Sequence, residues 1–156
     1  LAAFLGATGD VPELEGECGN PGHSSRVTCV VDFYGPSDFA AMEGQWSTMD
    51  HMAADSPEAL LLGKPIKDAP DLVKQANPIT YLDKGDPPFL ILHGDRDGTV
   101  PFNQSGILYA ALQKAGVNAT FRPVRGGGHG GPAFADPEIR QLVHAFFDKH
   151  LRGAKP

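Results

Sequence analysis

Phe89-Leu90-Ile91-Leu92-His93-Gly94-Asp95-Arg96-Asp97-Gly98-Thr99-Val100-Pro101 passes from a continuous apolar stretch into a turn carrying two carboxylates, and its reading decides the fold. Four consecutive apolar residues after Pro88 and before a Gly-Asp turn have the pattern of a strand covered on both faces, as in parallel sheets. Pro101, with its fixed φ, suits the first turn of a helix running to about Ala115. In that helix Phe102, Leu108, Ala111 and Leu112 form the apolar stripe, and Gly116 is the stop. Residues 118 to 124 alternate well enough for another strand, which ends in Gly126-Gly127-Gly128-His129-Gly130-Gly131. A carboxylate and an imidazole are each delivered to a strand tip, where open α/β sheets keep their chemistry.

Outward from that core the same logic continues. Val27-Thr28-Cys29-Val30-Val31-Asp32-Phe33-Tyr34 is nearly all β-branched or aromatic and predicts a buried strand over 27 to 34, closed by Gly35-Pro36-Ser37-Asp38. Residues 1 to 8 have the pattern of the end of an Ala/Leu helix, and 9 to 26 that of a polar loop. Ser56-Pro57-Glu58 starts a short helix that Gly63 stops, and Asp68-Ala69-Pro70-Asp71 opens another through Ala76. Asp136-Pro137-Glu138 starts the last helix, in which Ile139, Leu142, Val143, Phe146 and Phe147 recur at helical spacing to about Leu151. Met42, Trp46, Met49 and Met52 are expected to be core beneath a loop, the alternative being the lining of a substrate pocket. The whole gives one α/β domain over residues 1 to 156, with a short parallel sheet of about three strands flanked by helices.

Composition excludes several partners. A net charge of −6 over 156 residues argues against nucleic acid or an anionic membrane surface. No apolar run approaches the ~20 residues that span a bilayer, and no basic segment followed by an apolar stretch marks a targeting signal, so the compartment stays open between cytoplasm and exterior. Cys18 and Cys29 are two free thiols, with Cys29 a small core residue, or a disulfide tying the loop to the strand; the second would favour an exported protein. Two cysteines are too few for a metal site of their own.

Asp97 and His129 carry the chemistry. Asp95-Arg96-Asp97-Gly98 has the opening of a calcium loop, but the closing Glu would fall at residue 106, where Gly106 stands, so neither metal nor cofactor is expected. Five glycines surround His129 between residues 126 and 131, leaving no side chains to shield the imidazole and permitting the positive φ that brings a loop over the strand ends. His23, His51, His93, His144 and His150 have the ordinary pattern of surface or satisfied core histidines. An Asp that orients and charges a His is two thirds of a Ser-His-Asp relay. The third member is not evident. Ser24, Ser25, Ser37, Ser47, Ser56 and Ser105 all lie outside Gly-x-Ser-x-Gly, and Ser37, alone at a sheet tip, sits between Pro36 and Asp38 like a turn serine.

In four segments the chain resembles the C-terminal half of α/β-hydrolase-fold esterases, in particular the small-lipase, acetyl-esterase and feruloyl-esterase-like group. Leu1-Ala2-Ala3-Phe4-Leu5-Gly6 is similar to the helix after the nucleophile elbow, and Val30 through Asp38 to the sixth strand and its turn. His93 through Pro101 is similar to the acid loop, and Gly128-His129-Gly130 to the histidine loop. The resemblance implies Asp97 as the acid and His129 as the base of a serine carboxylic ester hydrolase. It also implies that the elbow serine and oxyanion glycines precede Leu1, so that the chain by itself would be weakly active or inactive. Implied substrates are small acyl or aryl esters, including acyl or feruloyl esters of plant-wall polysaccharides. In the same strand order the outer edge of residues 27 to 34 is bare, which predicts a homo-oligomer paired along it. Two alternatives stand beside this: a prolyl-oligopeptidase-type serine peptidase, and a non-catalytic α/β binding or oligomerisation module.

Overall fold

The computed structural model describes residues 1–9, 11–16, 19 and 22–153. In chain order the regular elements are α1 (Ala2–Ala7), α2 (Pro12–Glu15), β1 (Val30–Phe33), α3 (Pro57–Leu62), α4 (Pro70–Ala76), β2 (Phe89–Gly94), α5 (Asn103–Ala115), β3 (Ala119–Val124) and α6 (Pro137–Leu151), with short 3-10 turns between them. The three strands form one parallel sheet in the order β1-β2-β3. Val31 stands opposite Leu90, and Ile91 opposite Phe121.

β2 is central, and every residue in it is buried. Because successive strand side chains point to opposite faces, it feeds two cores at once. Phe89 and Ile91 pack with Ala3 of α1, Leu108 and Leu112 of α5, and Val117. Leu90 and Leu92 face the other way onto Val124, Ile139 and the apolar side of α6, including Leu142, Val143 and Phe146. Truncating a side chain as completely enclosed as Leu112 costs about 2–5 kcal/mol. β3 is an edge strand, which is why Pro123, opposite His93 in the register, is tolerated inside it. The other edge belongs to β1.

Helix ends follow the local chemistry. Ser56 Oγ accepts from Ala59 N at 3.1 Å with Pro57 in the first turn, and Asp136 Oδ1 accepts from Glu138 N at 2.8 Å. Gly63 and Gly116 close α3 and α5 in the left-handed conformation. A third apolar cluster, Phe39, Met42, Ile66 and Val73 with Met52, underlies the segment between β1 and β2.

Four expectations need correction. β1 covers only Val30–Phe33: Val27, Thr28 and Cys29 approach the sheet outside the ladder, and Tyr34 leaves it at φ +45°. α5 begins at Asn103, two residues after Pro101. The short helix α2 interrupts what was expected to be a continuous loop, with Pro12 at its start. Of the Met/Trp set, Met42 and Met52 join the third cluster, whereas Trp46 is 68% exposed and Met49 is also exposed. Burial pushes the Cys29 thiol above its usual range, and Cys18 lies outside the described residues. Among the described residues no helix is long and apolar enough to cross a membrane.

Candidate active site

The C-terminal ends of β2 and β3 turn toward each other and are sewn together by main chain. Asp95 N donates to Val124 O at 3.1 Å, Arg96 N donates to Gly127 O at 2.9 Å, and Gly126 N donates to Asp95 Oδ1 at 2.7 Å. Asp95, the first carboxylate of the turn, is thus a tie between loops. Gly94 makes the approach possible: a Cβ there would stand 2.2 Å from Gly127 O and 2.3 Å from Gly128 O. Gly126, Gly130 and Gly131 all adopt φ between +68° and +90°, which carries the second loop back over the strand ends.

That crossing brings Asp97 and His129 together. Asp97 is buried, and its Oδ1 accepts from Thr99 N at 2.8 Å and Val100 N at 3.0 Å. Its Oδ2 stands 2.9 Å from His129 Nδ1. An ionised carboxylate only accepts, so Nδ1 carries the proton and Nε2 is left as the basic nitrogen. The His129 side chain is 37% exposed, so this nitrogen belongs to a ring that solvent and a reactant can reach.

Two further residues shape the pair. Tyr34, at the tip of β1, holds its ring 4.5 Å centroid to centroid from the His129 imidazole, tilted 54°. Phe134 meets the same tyrosine edge-on at 5.0 Å. Tyr34 is the one non-glycine residue among those described with a positive φ, and strain of that kind is concentrated where a side chain must be aimed. Behind Asp97, the fully buried His93 places Nε2 3.2 Å from Asp97 Oδ2 and 3.1 Å from Val100 O. Its Nδ1 is 2.7 Å from Ser105 Oγ.

The acid loop is also held from its carbonyl side. Gly98 O accepts from Thr48 N and Thr48 Oγ1, both at 2.7 Å. Thr99 O accepts from Ser47 Oγ at 3.0 Å and from His51 Nε2 at 2.9 Å. The buried His51 then meets Glu58 Oε2 through Nδ1 at 3.1 Å, so both of its nitrogens face oxygens. Ser47, His51 and Glu58 resemble a second relay in layout. The carbonyl bond excludes that chemistry, since an Nε2 donating to Thr99 O has no lone pair for a serine proton.

Each of the six serines has an assigned partner. Ser37 is buried, donating through Oγ to Gln104 O at 2.8 Å while its N–H reaches Gln104 Oε1 at 3.0 Å, a structural turn rather than an exposed elbow. Ser56 caps α3, Ser105 meets His93, and Ser47 serves the acid loop. Ser24 Oγ accepts from Arg26 N at 3.1 Å, and Ser25 bonds the Glu15 carboxylate. Sequence reasoning singled out Asp97 and His129 and passed over Tyr34, His93, His51 and Glu58. Tyr34 had a signal, an aromatic residue directly before Gly35-Pro36. His93 and His51 differ from ordinary core histidines only through contacts made across the fold.

Comparison with known proteins adds the following. The model of the BD-FAE family matches residues 1–112. Esterase LipQ of Mycobacterium tuberculosis is 34% identical over 120 residues, 75% of this chain and 26% of LipQ. The solved truncated form of a carbohydrate esterase from gut microbiota superposes with a TM-score of 0.84 at 40% identity, covering 95% of this chain and 54% of that one. An acetyl ester-xyloside bifunctional hydrolase from Caldicellulosiruptor lactoaceticus superposes with a TM-score of 0.68 at 25% identity, over 95% of this chain and 52% of that one. The chain therefore spans about a quarter of the length of LipQ and about half of each of the two structures.

Proposed function

The chain belongs to the BD-FAE family of α/β-hydrolase esterases, and we propose that it supplies the acid and the base of a serine-type carboxylic ester hydrolase. The single observation that carries this is the 2.9 Å bond between Asp97 Oδ2 and His129 Nδ1 on the rim of the sheet. His129 Nε2 takes the proton of an attacking serine hydroxyl as that oxygen adds to the ester carbonyl. Asp97 stabilises the imidazolium, which then protonates the departing alcohol, and water repeats the cycle on the acyl-enzyme. All six serines here are engaged elsewhere, so the nucleophile in this proposal comes from chain outside these 156 residues. Residues 1 to 156 act in it as one α/β domain.

The substrate class proposed is a small acyl or aryl ester, including acyl or feruloyl esters of plant-wall polysaccharide. Two of the similar structures support it by what they are called: a carbohydrate esterase and an acetyl ester-xyloside hydrolase. The exposed Trp46 ring, lying 3.4 Å from where a Gly98 Cβ would be, offers an aromatic face beside the acid loop for a sugar or phenyl ring. Among the described residues β1 is paired on one side only, which supports the proposal of a homo-oligomer joined along residues 27 to 34, its ladder confined to Val30–Phe33.

The test is fluorophosphonate labelling with mapping of the adduct, beside turnover of p-nitrophenyl acetate and of a proline-aminoacyl amide. The proposal expects a serine adduct outside residues 1–156, ester turnover, and loss of both in His129→Asn. Labelling that survives His129→Asn, or turnover of the amide alone, overturns it, the latter in favour of the peptidase.

A further inference from the structure

We infer that His93 is a positioning residue for the acid–base pair, a neutral Nε2–H donor that shares Asp97 Oδ2 with His129. This rests on the Asp97–His129 pair acting as proposed above, but it concerns a residue on the opposite, buried side of the carboxylate.

The tautomer follows from the partners. His93 Nε2 faces Val100 O at 3.1 Å and Asp97 Oδ2 at 3.2 Å, and both oxygens only accept. Nε2 therefore carries a hydrogen shared between them; the other tautomer would point a lone pair at two oxygens. Nδ1 is then free to accept from the Ser105 hydroxyl at 2.7 Å. Phe102 closes the site with its ring edge-on at 5.4 Å, and both His93 and Ser105 are completely enclosed. Burial holds the His93 imidazole below its usual range, which favours its uncharged form.

Ser105, His93 and Asp97 thus stand in the order hydroxyl, imidazole, carboxylate, like a triad facing inward. No substrate reaches Ser105, so this arm does no chemistry of its own. Its effect falls on Asp97. The Asp97 carboxylate has two N–H donors on Oδ1, and at Oδ2 the His93 N–H stands beside that of His129. An oxygen shared between two donors is fixed in place and pulls less on the His129 proton. The titratable groups that these contacts set against His129 are Asp97 from the acid loop and Tyr34 from the end of β1, with His93 behind Asp97. The contact that His93 makes with the pair is with the carboxylate.

Nuclear magnetic resonance of the intact protein labelled with 15N-histidine tests this without reference to turnover. The native His93 is expected as the Nε2–H tautomer, with Nδ1 shifted as a hydrogen-bond acceptor. His93→Met, which removes the donor, is expected to raise the His129 titration midpoint by about half a unit to one unit. His93→Gln, which restores an amide donor, is expected to return it toward native. Asp97→Asn is run alongside: if it leaves His129 titrating as in the native protein, the acid–base pair itself fails. If Asp97→Asn lowers the midpoint while His93→Met does not raise it, this inference fails and the pair stands. Should His93→Met not fold, the native tautomer decides, and an Nδ1–H resonance on His93 overturns the proposal.

Discussion

Gly94→Ala is the sharpest perturbation of the site, because it leaves the side chains of Asp97 and His129 unaltered, Gly94 meeting Asp97 only through its carbonyl, which accepts from Asp97 N at 3.2 Å. A Cβ at residue 94 would lie 2.2 Å from Gly127 O, 2.3 Å from Gly128 O and 2.5 Å from Gly127 C, all backbone atoms that no rotamer change can clear. Relief to an ordinary contact requires the two loops to part by about 1 Å, at an overpacking cost of about 1–3 kcal/mol. The Arg96 N to Gly127 O bond at 2.9 Å and the Asp97 Oδ2 to His129 Nδ1 bond at 2.9 Å both cross that seam. Opened by the same amount, the second is no longer a hydrogen bond. A misplacement of about 1 Å costs on the order of 100-fold in rate. The assay is ester turnover in the intact enzyme, with stability followed by urea unfolding and Gly106→Ala as the control. Gly106 lies inside α5, where a new Cβ meets Asn103 Oδ1 at 3.4 Å, and alanine there should leave turnover unchanged. Turnover of Gly94→Ala within threefold of native would refute the reasoning that this seam aligns the pair.

Three further outcomes follow from the same contacts. Tyr34→Leu removes the ring 4.5 Å from His129 and should lower the imidazole's titration midpoint, since an aromatic face favours the cation by about 0.5–1 kcal/mol; an unchanged midpoint in a proton NMR titration counts against that contact. Glu58→Ala removes the partner of the buried His51 Nδ1 and should cost about 1–3 kcal/mol in urea unfolding, together with a looser acid loop and lower turnover; a change under about 0.5 kcal/mol would show the strap is not holding. His93, held below the ordinary imidazole value of 6.5, gives a pH dependence: the unfolded chain takes up a proton below that value before the native state does. Its contribution to stability is therefore complete above about pH 6.5 and is lost as the pH falls toward the folded value. His93→Gln should flatten that acid limb of the stability curve, and an unchanged slope would contradict it.

Much of this fold is legible in the order of residues because its central strand leaves no ambiguity. Phe89 to Leu92 form an apolar run bounded by Pro88 and Gly94, and nothing but a doubly covered strand suits it. Gly116 and Asp136 mark their helix ends for local reasons that tertiary structure does not override. Val27 to Cys29 misled because β propensity describes a residue that fits a pleated surface, and here no ladder partner reaches those positions. Asp97 and His129 stand out through the turn and glycine context around them. Tyr34 shows only as an aromatic residue before Gly35-Pro36, and His93 and His51 not at all, because their significance lies in contacts spanning 95, 4 and 48 positions, respectively, to His129, Asp97 and Thr99, and only the closed sheet creates the first and last. The sequence around His93 has the pattern of a surface or satisfied core histidine. It is satisfied core, and part of what satisfies it is the carboxylate of the pair.

The central claim is most directly measured by the proton on His129 Nδ1. If Asp97 holds that imidazole as the geometry indicates, the intact protein shows a far-downfield Nδ1–H resonance in slow exchange with water, assigned to His129 and absent from Asp97→Asn. A His129 that proves to be the Nε2–H tautomer, or a downfield resonance that survives Asp97→Asn, would contradict the account.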